Sequence, residues 1–275
     1  MNPPQCPRCG SRLEKLTVSL RVYATLPFLV CSSCKYVRRD PSQRGWIDGH
    51  LDRAIITLNL ISSVSPSSRK PVVLDAGAAP GYITQMVRWL LGCEVFGLDS
   101  SRVISSAGRD FQAYVREMEQ GGIPILDCDL DVDPFPFADQ TFDLVLFTEV
   151  IEHLHNPLHA LSEIRRVLKR GGWLILSTPN LLRVSNRLRR LMRRPMTFHG
   201  VREYGVRELK ELLSRAGLTV AKVIFSDWSE RKYLKKLRYG RLRFSPSALW
   251  FILKYGIVRL IPSLSSYMFI LATKS

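Results

Sequence analysis

A chain of 275 residues, 46% hydrophobic and 23% charged, has the length and apolar surface for one full α/β domain plus a small appendage. Its opening, MNPPQCPRCG, has no apolar core, and no charge-free apolar run reaches the roughly 20 residues a spanning helix needs, so a cytoplasmic protein without signal peptide or membrane span is expected. The formal charge of +16 is concentrated in residues 179–275, with 21 Lys/Arg against 5 Asp/Glu, beside an acidic stretch at 71–178 with 8 against 15, and this asymmetry points to an anionic partner.

The first element is a pair of cysteine knuckles, Cys6-Pro-Arg-Cys9 and Cys31-Ser-Ser-Cys34, separated by 21 residues. Each knuckle lets two thiolates on one tight turn face one ion, and two knuckles complete a closed tetrahedron of four cysteines with no open position for catalysis. The intervening LEKLTVSLRVYA and TLPFLVCS read as strands, so residues 1–45 resemble a zinc ribbon, with structural zinc, or iron in its place, on Cys6, Cys9, Cys31 and Cys34. A region this short needs such a staple to fold. Its role stays open between gripping RNA, holding a partner protein and capping the rest of the chain. Cys93 and Cys128 stand alone, so the six cysteines together read as metal spacing in a reducing compartment rather than a disulfide framework.

Residues 46–70 form a helical linker: Ile47, Leu51, Ile55, Leu58 and Ile61 recur at helical spacing until SSVSPSSRKP breaks the pattern. The next domain, 71–275, opens on the short apolar strand Val72-Val73-Leu74. Asp75, Gly77 and Gly81 follow at the spacing of a glycine-rich loop that leads into a helix over 82–91. In dinucleotide enzymes such a loop holds a pyrophosphate, which Asp75 would repel; the same carboxylate can hold the ammonium of a methionine moiety. A second strand, CEVFGL, ends in Asp99, placed to accept both hydroxyls of a ribose.

From these residues on, the chain resembles a class I S-adenosylmethionine-dependent methyltransferase of the type 11 group. DAGAAPG is similar to that family's first motif, with Ala79 in place of the middle glycine. CDLDVDPFPFADQTFDLVLF is similar to the segment entering its fourth strand, TEVIEHLHNP to the motif after that strand, and LSEIRRVLKRGGWLILSTPN to a helix, a turn at Gly171-Gly172 and a fifth strand. REYGVRELKELLSRAGL and the strands TVAKVIFSDW and SYMFILATKS close the pattern. The resemblance implies S-adenosylmethionine as cofactor, held by Asp75, Gly77, Ala79, Gly81, Asp99, Asp129, Leu130 and Glu149, with Asp129 and Leu130 at the adenine. The alternation of strands and helices predicts the same architecture: a Rossmann-like, doubly wound, mostly parallel seven-stranded sheet, preceded by the small β ribbon.

Methyl transfer to a hydroxyl profits from a general base. Glu149, Glu152, His153 and His155 cluster after the fourth strand, and His153 and Glu149 are the catalytic candidates; His199 is a second histidine to weigh. Structural packing and helix capping are the competing roles for both histidines.

In the basic third, NRLRRLMRR and ERKYLKKLRYGRLR interleave arginines and lysines with Tyr233, Tyr239 and Phe244, a pattern compatible with phosphate contacts and base stacking. ALWFILKYGIVRLI (248–261) reads either as a core-covering helix or as one lying on an anionic membrane, peripheral on its cytoplasmic face. The apolar-basic tail favours a small or lipid-linked acceptor. The ribbon and the net charge keep RNA open as a second substrate class. Against RNA, no aspartate of the ribose-methylating enzymes follows strand four, STPN lacks their lysine, and TEVIEH is not the N/D-P-P-Y motif of exocyclic-amine enzymes.

Overall fold

The computed structural model describes residues 5–20, 24–31, 33–39, 48–64, 70–195, 200–227 and 246–275. His199 and the cluster at 230–243 lie outside them. At the N-terminal end, β1 (Leu13–Leu20) and β2 (Ala24–Cys31) pair antiparallel from Leu13↔Cys31 to Leu20↔Ala24. A third strand, β3 (Val37–Arg39), adds to β2; at three residues it is too short to show a period in the sequence. Leu13 packs with Cys6 and Cys31 in a small cluster of its own. The ribbon meets the larger part of the chain at α1 (Asp48–Val64), where the Ser62 hydroxyl lies 2.8 Å from both Lys35 O and Leu58 O.

The large sheet holds β4 (Val72–Ala76), β5 (Glu94–Asp99), β6 (Ile125–Asp127), β7 (Phe142–Thr148), β8 (Leu168–Pro179), β9 (Leu218–Ser226) and β10 (Tyr267–Lys274) in the order β6-β5-β4-β7-β8-β10-β9. The pairings β4–β5, β4–β7, β5–β6 and β7–β8 are parallel, and β10 runs antiparallel to both its neighbours. Side chains alternate between the two faces with the period of a strand. Leu74, Val145, Phe147, Met268 and Ile270 face α5 (Pro157–Val167) and α7 (Val206–Arg215), whereas Val73, Leu144, Leu146, Phe269 and Leu271 face α1 and α2 (Tyr82–Leu91). Both faces are covered, which explains why the central strands read as continuous apolar runs. α1 contributes Ala54, Ile55, Leu58 and Ile61 to this packing. Each fully buried Leu or Ile contributes about 1.5–3 kcal/mol. Further helices are α3 (Ser101–Ser106) and α4 (Phe111–Gln120), each opened by a side-chain cap, Ser100 and Asp110, then α6 (Val184–Leu191) and α8 (Pro246–Leu260).

One expectation changes, and one left open is narrowed. Gly171-Gly172 do not cap a helix ending at Lys169-Arg170: α5 ends at Val167 and the chain enters β8 directly. β8 leaves its register with β7 between Leu168 and Trp173, so the glycines form a bulge at the strand's start. The tail helix α8 turns Trp250, Ile257 and Val258 inward onto Val184 of α6 and Leu264, so Trp250 belongs to a packed seam and not to an outer apolar face. Lys254 is committed inside as well, 2.5 Å from the Asp227 carboxylate. No described helix is long and apolar enough to cross a membrane.

Candidate active site and metal centre

The chain leaves β4 outward to β5 and β6, then returns on the other side of β4 at β7. That switch opens a crevice at the carboxyl ends of β4 and β7, where doubly wound sheets hold ligands. Asp75, the fourth residue of β4, is buried there. Its Oδ2 accepts a hydrogen bond of 2.7 Å from Thr84 Oγ1, and its Oδ1 has no partner. Burial pushes the Asp75 carboxyl up to about 7, with the Asp99 charge adding and Thr84 opposing. A cation placed against Oδ1 would satisfy the atom and restore the charge.

The loop after Asp75 needs its glycines at two places. Gly77 and Gly81 have φ of 85° and 90°, and a Cβ on Gly77 would collide with Val150 while one on Gly81 would meet Met118 Sδ at 2.5 Å. Ala79 carries no such demand. Its N–H donates to Asp99 Oδ2 at 2.7 Å, and Ser100 N–H donates to Oδ1 at 2.9 Å, so the strand-end acid is oriented by the loop itself. Burial raises the Asp99 carboxyl and these two N–H groups pull it back.

Asp129 lies two residues beyond β6. Its Oδ1 accepts from Asp131 N–H at 3.1 Å and its other oxygen pairs with Arg102. The Leu130 side chain is buried in the core. The Asp129 carboxylate and the Leu130 side chain are thus both already engaged within the fold.

At the end of β7, Glu149 adopts φ of 58°, a left-handed conformation that costs a non-glycine residue on the order of 1 kcal/mol. Its N–H donates to Ser177 O at 2.9 Å, and the Ser177 hydroxyl donates to Oε1 at 2.9 Å. Oε2 pairs with Arg53 of α1, whose guanidinium also lies 5.6 Å from the centre of the Tyr267 ring. Burial works against the Arg53 charge and Glu149 more than offsets it. Glu152 follows on a 3-10 turn (Ile151–His153), 1% exposed, with Oε2 accepting from Thr178 Oγ1 at 3.0 Å. Burial pushes its carboxyl up to about 8, Glu149 adding to the rise and Thr178 and Arg53 opposing it.

His153 lies on the same turn, not at the start of an α-helix. It is exposed, with its Nδ1 3.0 Å from where a Cβ on Gly200 would sit. His155 is exposed too, 3.4 Å from Asp131. The fold thus brings Asp75, Gly77, Ala79, Gly81, Asp99 and Glu149 to one end of the sheet and sets His153 at its rim. Sequence reasoning missed Arg53 and Thr178. The signal for Arg53 was there: it precedes Thr57 by one helical turn on the buried side of α1, an odd place for a charge without a partner.

In the ribbon, the sulfur atoms of Cys6, Cys9, Cys31 and Cys34 lie within 4.8 Å of one another, with Cys6–Cys34 and Cys9–Cys31 at 3.5 Å. A disulfide would need about 2 Å, whereas four thiolates about 2.3 Å from a tetrahedral zinc stand roughly 3.8 Å apart. The two knuckles are alike: Gly10 N–H bonds Cys6 O and Lys35 N–H bonds Cys31 O, both at 2.9 Å. The donor set and its spacing fit a zinc ion.

A family model described as a methyltransferase domain matches residues 48–223, and the chain belongs to that family. The ubiquinone biosynthesis O-methyltransferase of Cereibacter sphaeroides is 36% identical over 109 residues, covering 39% of this chain and 41% of that protein. The mitochondrial ubiquinone biosynthesis O-methyltransferase of Dictyostelium discoideum is 30% identical over 113 residues, covering 39% and 35%. The chain thus spans about two-fifths of the length of these curated relatives. Among solved structures, geranyl diphosphate methyltransferase in complex with S-adenosylmethionine superposes with a TM-score of 0.54 at 16% identity, covering 86% of this chain and 93% of that one. The [4+2]-cyclase SpnF superposes with a TM-score of 0.55 at 18% identity, covering 86% and 85%. At such identities the likeness is one of fold, and a cyclase on the same fold shows why activity must be argued from the site.

Proposed function

We propose that this methyltransferase acts on a hydroxyl or similar group of a small or lipid-linked acceptor held at the carboxyl ends of β7 and β8. The observation that carries the reading is the pair of acids at the end of β7: Glu149, tied to Arg53 and Ser177, and Glu152, 1% exposed and bonded to Thr178. The O-methyltransferase chemistry of the ubiquinone-pathway relatives supports a hydroxyl acceptor.

When bound, S-adenosylmethionine supplies an electrophilic methyl group on a sulfonium. Asp75 would hold its ammonium through the unpartnered Oδ1, Asp99 its ribose hydroxyls, and Asp129 with Leu130 its adenine, while Gly77, Ala79 and Gly81 let the backbone come close. Glu149 and Arg53 fix the floor on which the acceptor rests. Once ionised, Glu152, whose carboxyl titrates at about 8, is a strong enough base to take the hydroxyl proton. His153 at the rim is the alternative base. Zinc on the four cysteines is structural in this reading.

Location follows from the tail. Leu191 and Leu260 are 80% and 84% exposed, with Met192 and Ile261 beside them in sequence and Arg187, Arg189, Arg190, Arg193 and Arg194 on or next to α6. Exposed leucines with arginines beside them in sequence suit an anionic membrane surface, where a lipid-linked acceptor would be met.

The test is transfer of labelled methyl from S-adenosylmethionine to a polyprenylated phenol in anionic vesicles, to the same phenol without its tail, and to total RNA. Label in either phenol supports the reading, and label in RNA alone overturns it.

A further inference from the structure

One side chain that neither the motifs nor the proposed chemistry uses lies against the glycine loop. Tyr114, in α4, packs against the buried cluster that holds Ala78, Phe111 and Met118. Its centroid is 6.5 Å from that of Phe111, and its Cε2 is 3.4 Å from where a Cβ on Gly81 would sit. The Tyr114 hydroxyl is shut off from water and has no hydrogen-bond partner. Burial, joined by the carboxylates of Asp99, Asp75 and Glu117, drives the phenol far above its usual range, so it is a donor at all working pH values.

A buried hydroxyl without a partner is a net cost to the fold, and phenylalanine would fill the same space without it. Tyrosine at this position makes sense where something absent from the polypeptide accepts its hydrogen bond. The second orphaned atom beside this loop, Asp75 Oδ1, is an acceptor. A donor and an acceptor left open beside one short loop ask for a ligand with both a cationic and an oxygen-bearing group. S-adenosylmethionine has both.

We infer that Tyr114 is a cofactor-binding residue whose hydroxyl donates a hydrogen bond to an oxygen of bound S-adenosylmethionine, in the stretch between the ribose at Asp99 and the methionine arm at Asp75. The inference rests on the cofactor site proposed above. It has a signature that a structural tyrosine lacks: removing the hydroxyl weakens cofactor binding yet does not destabilise the free protein.

Calorimetric titration of full-length wild type and Tyr114→Phe with S-adenosylmethionine, paired with thermal unfolding of both without cofactor, provides the test. Affinity should fall roughly tenfold, as for one lost hydrogen bond in a closed site, while the melting temperature of the free variant stays level or rises. Repeating the titration with methylthioadenosine, which lacks the amino-acid arm, assigns the contact: a parallel loss places it at the ribose, and an unchanged affinity places it at the arm. Equal affinity of wild type and variant for S-adenosylmethionine overturns the inference, as does a melting temperature that falls together with affinity. Failure of the wild type to bind S-adenosylmethionine would instead overturn the cofactor site as a whole.

Discussion

Arg53, on the helix that precedes the sheet, forms an ion pair with Glu149 at the end of β7, and so ties α1 to the floor of the candidate active site. Glu149 itself sits in a left-handed conformation, held by Ser177 on one oxygen and Arg53 on the other. Arg53 is also the cation that opposes the rise of the Glu152 carboxyl. One guanidinium thus balances two buried acids.

Arg53→Leu should therefore cost more than the pair itself is worth, because it strands both acids. Removing one partner of a largely buried pair costs about 3 kcal/mol, read as a lower urea midpoint at unchanged slope. Adding Glu149→Gln should return part of that loss. Strictly additive losses would mean that the two side chains are not coupled.

The pH dependence of cofactor affinity should report Asp75. In the free protein its carboxyl titrates at about 7, so below that pH it must lose a proton before it can hold an ammonium. Affinity for S-adenosylmethionine should rise as pH increases toward 7, then fall again as the cofactor's own α-amino group loses its proton at about 8. The stability of the free protein runs the other way. A carboxyl whose folded pKa is raised contributes stability that is full below its unfolded pKa, 3.8, and is lost as pH climbs through about 7. Asp75→Asn should thus raise the melting temperature of the free protein at about pH 8 and abolish binding. An affinity flat from about pH 5.5 to about pH 8 would remove Asp75 from the ammonium site.

Metal analysis should find one zinc per chain, lost in Cys6→Ser/Cys9→Ser. The ribbon's small cluster is separate from the clusters on the sheet, so the sheet should remain folded and bind S-adenosylmethionine without the metal. Hydrogen exchange should quicken in β1 to β3 and at the end of α1, where Ser62 meets Lys35. Exchange that quickens in β4 and β7 as well would make the ribbon an integral support of the sheet.

The central strands could be read from the sequence because buried parallel strands are plain apolar runs between glycine turns. β4 and β5 end at Ala76 and Asp99, with both key acids where the motif spacing puts them. Legibility failed where a residue's meaning depends on a distant partner. The position of Arg53 on the buried side of α1 signals that it has a partner, but only β7 shows that the partner is Glu149, and Glu152 looks like a neighbour of His153 until burial under Thr178 separates a 1% exposed acid from an exposed histidine. The segment 248–261 reads equally as core-covering or membrane-lying until α6 supplies Val184 to pack with Trp250. Periodicity gives the face of a helix, and only the packing partner says which face is inside.

The inward face of α8 decides which residues can test membrane binding. Trp250 and Val258 face the seam with Val184, so replacing Trp250 would damage packing and say nothing about lipid. The outer surface is Leu191 and Met192 at the end of α6, with Leu260 and Ile261 at the end of α8. Between Arg190 and Arg193 the α6 end also lines a cavity of about 620 Å³ with Leu181, Leu182 and Asn186. Transfer of one leucine side chain out of water is worth about 1.5–3 kcal/mol, and each basic residue near an anionic surface about 1 kcal/mol. Leu191→Ser with Leu260→Ser should then lower partition into anionic vesicles by roughly a hundredfold or more, at both low and high salt. Replacing Arg189, Arg190, Arg193 and Arg194 by Gln should instead weaken binding at low salt and leave little salt dependence behind, since the charge contribution is the part that ions screen. Neither set touches the cofactor crevice, so S-adenosylmethionine affinity should hold in both and serve as the check on folding. Retention of wild-type vesicle binding by the double leucine variant would show that these exposed leucines do not enter a bilayer. A wild type that ignores vesicles but binds RNA, with log affinity falling steeply against log salt, would hand the arginines to nucleic acid instead.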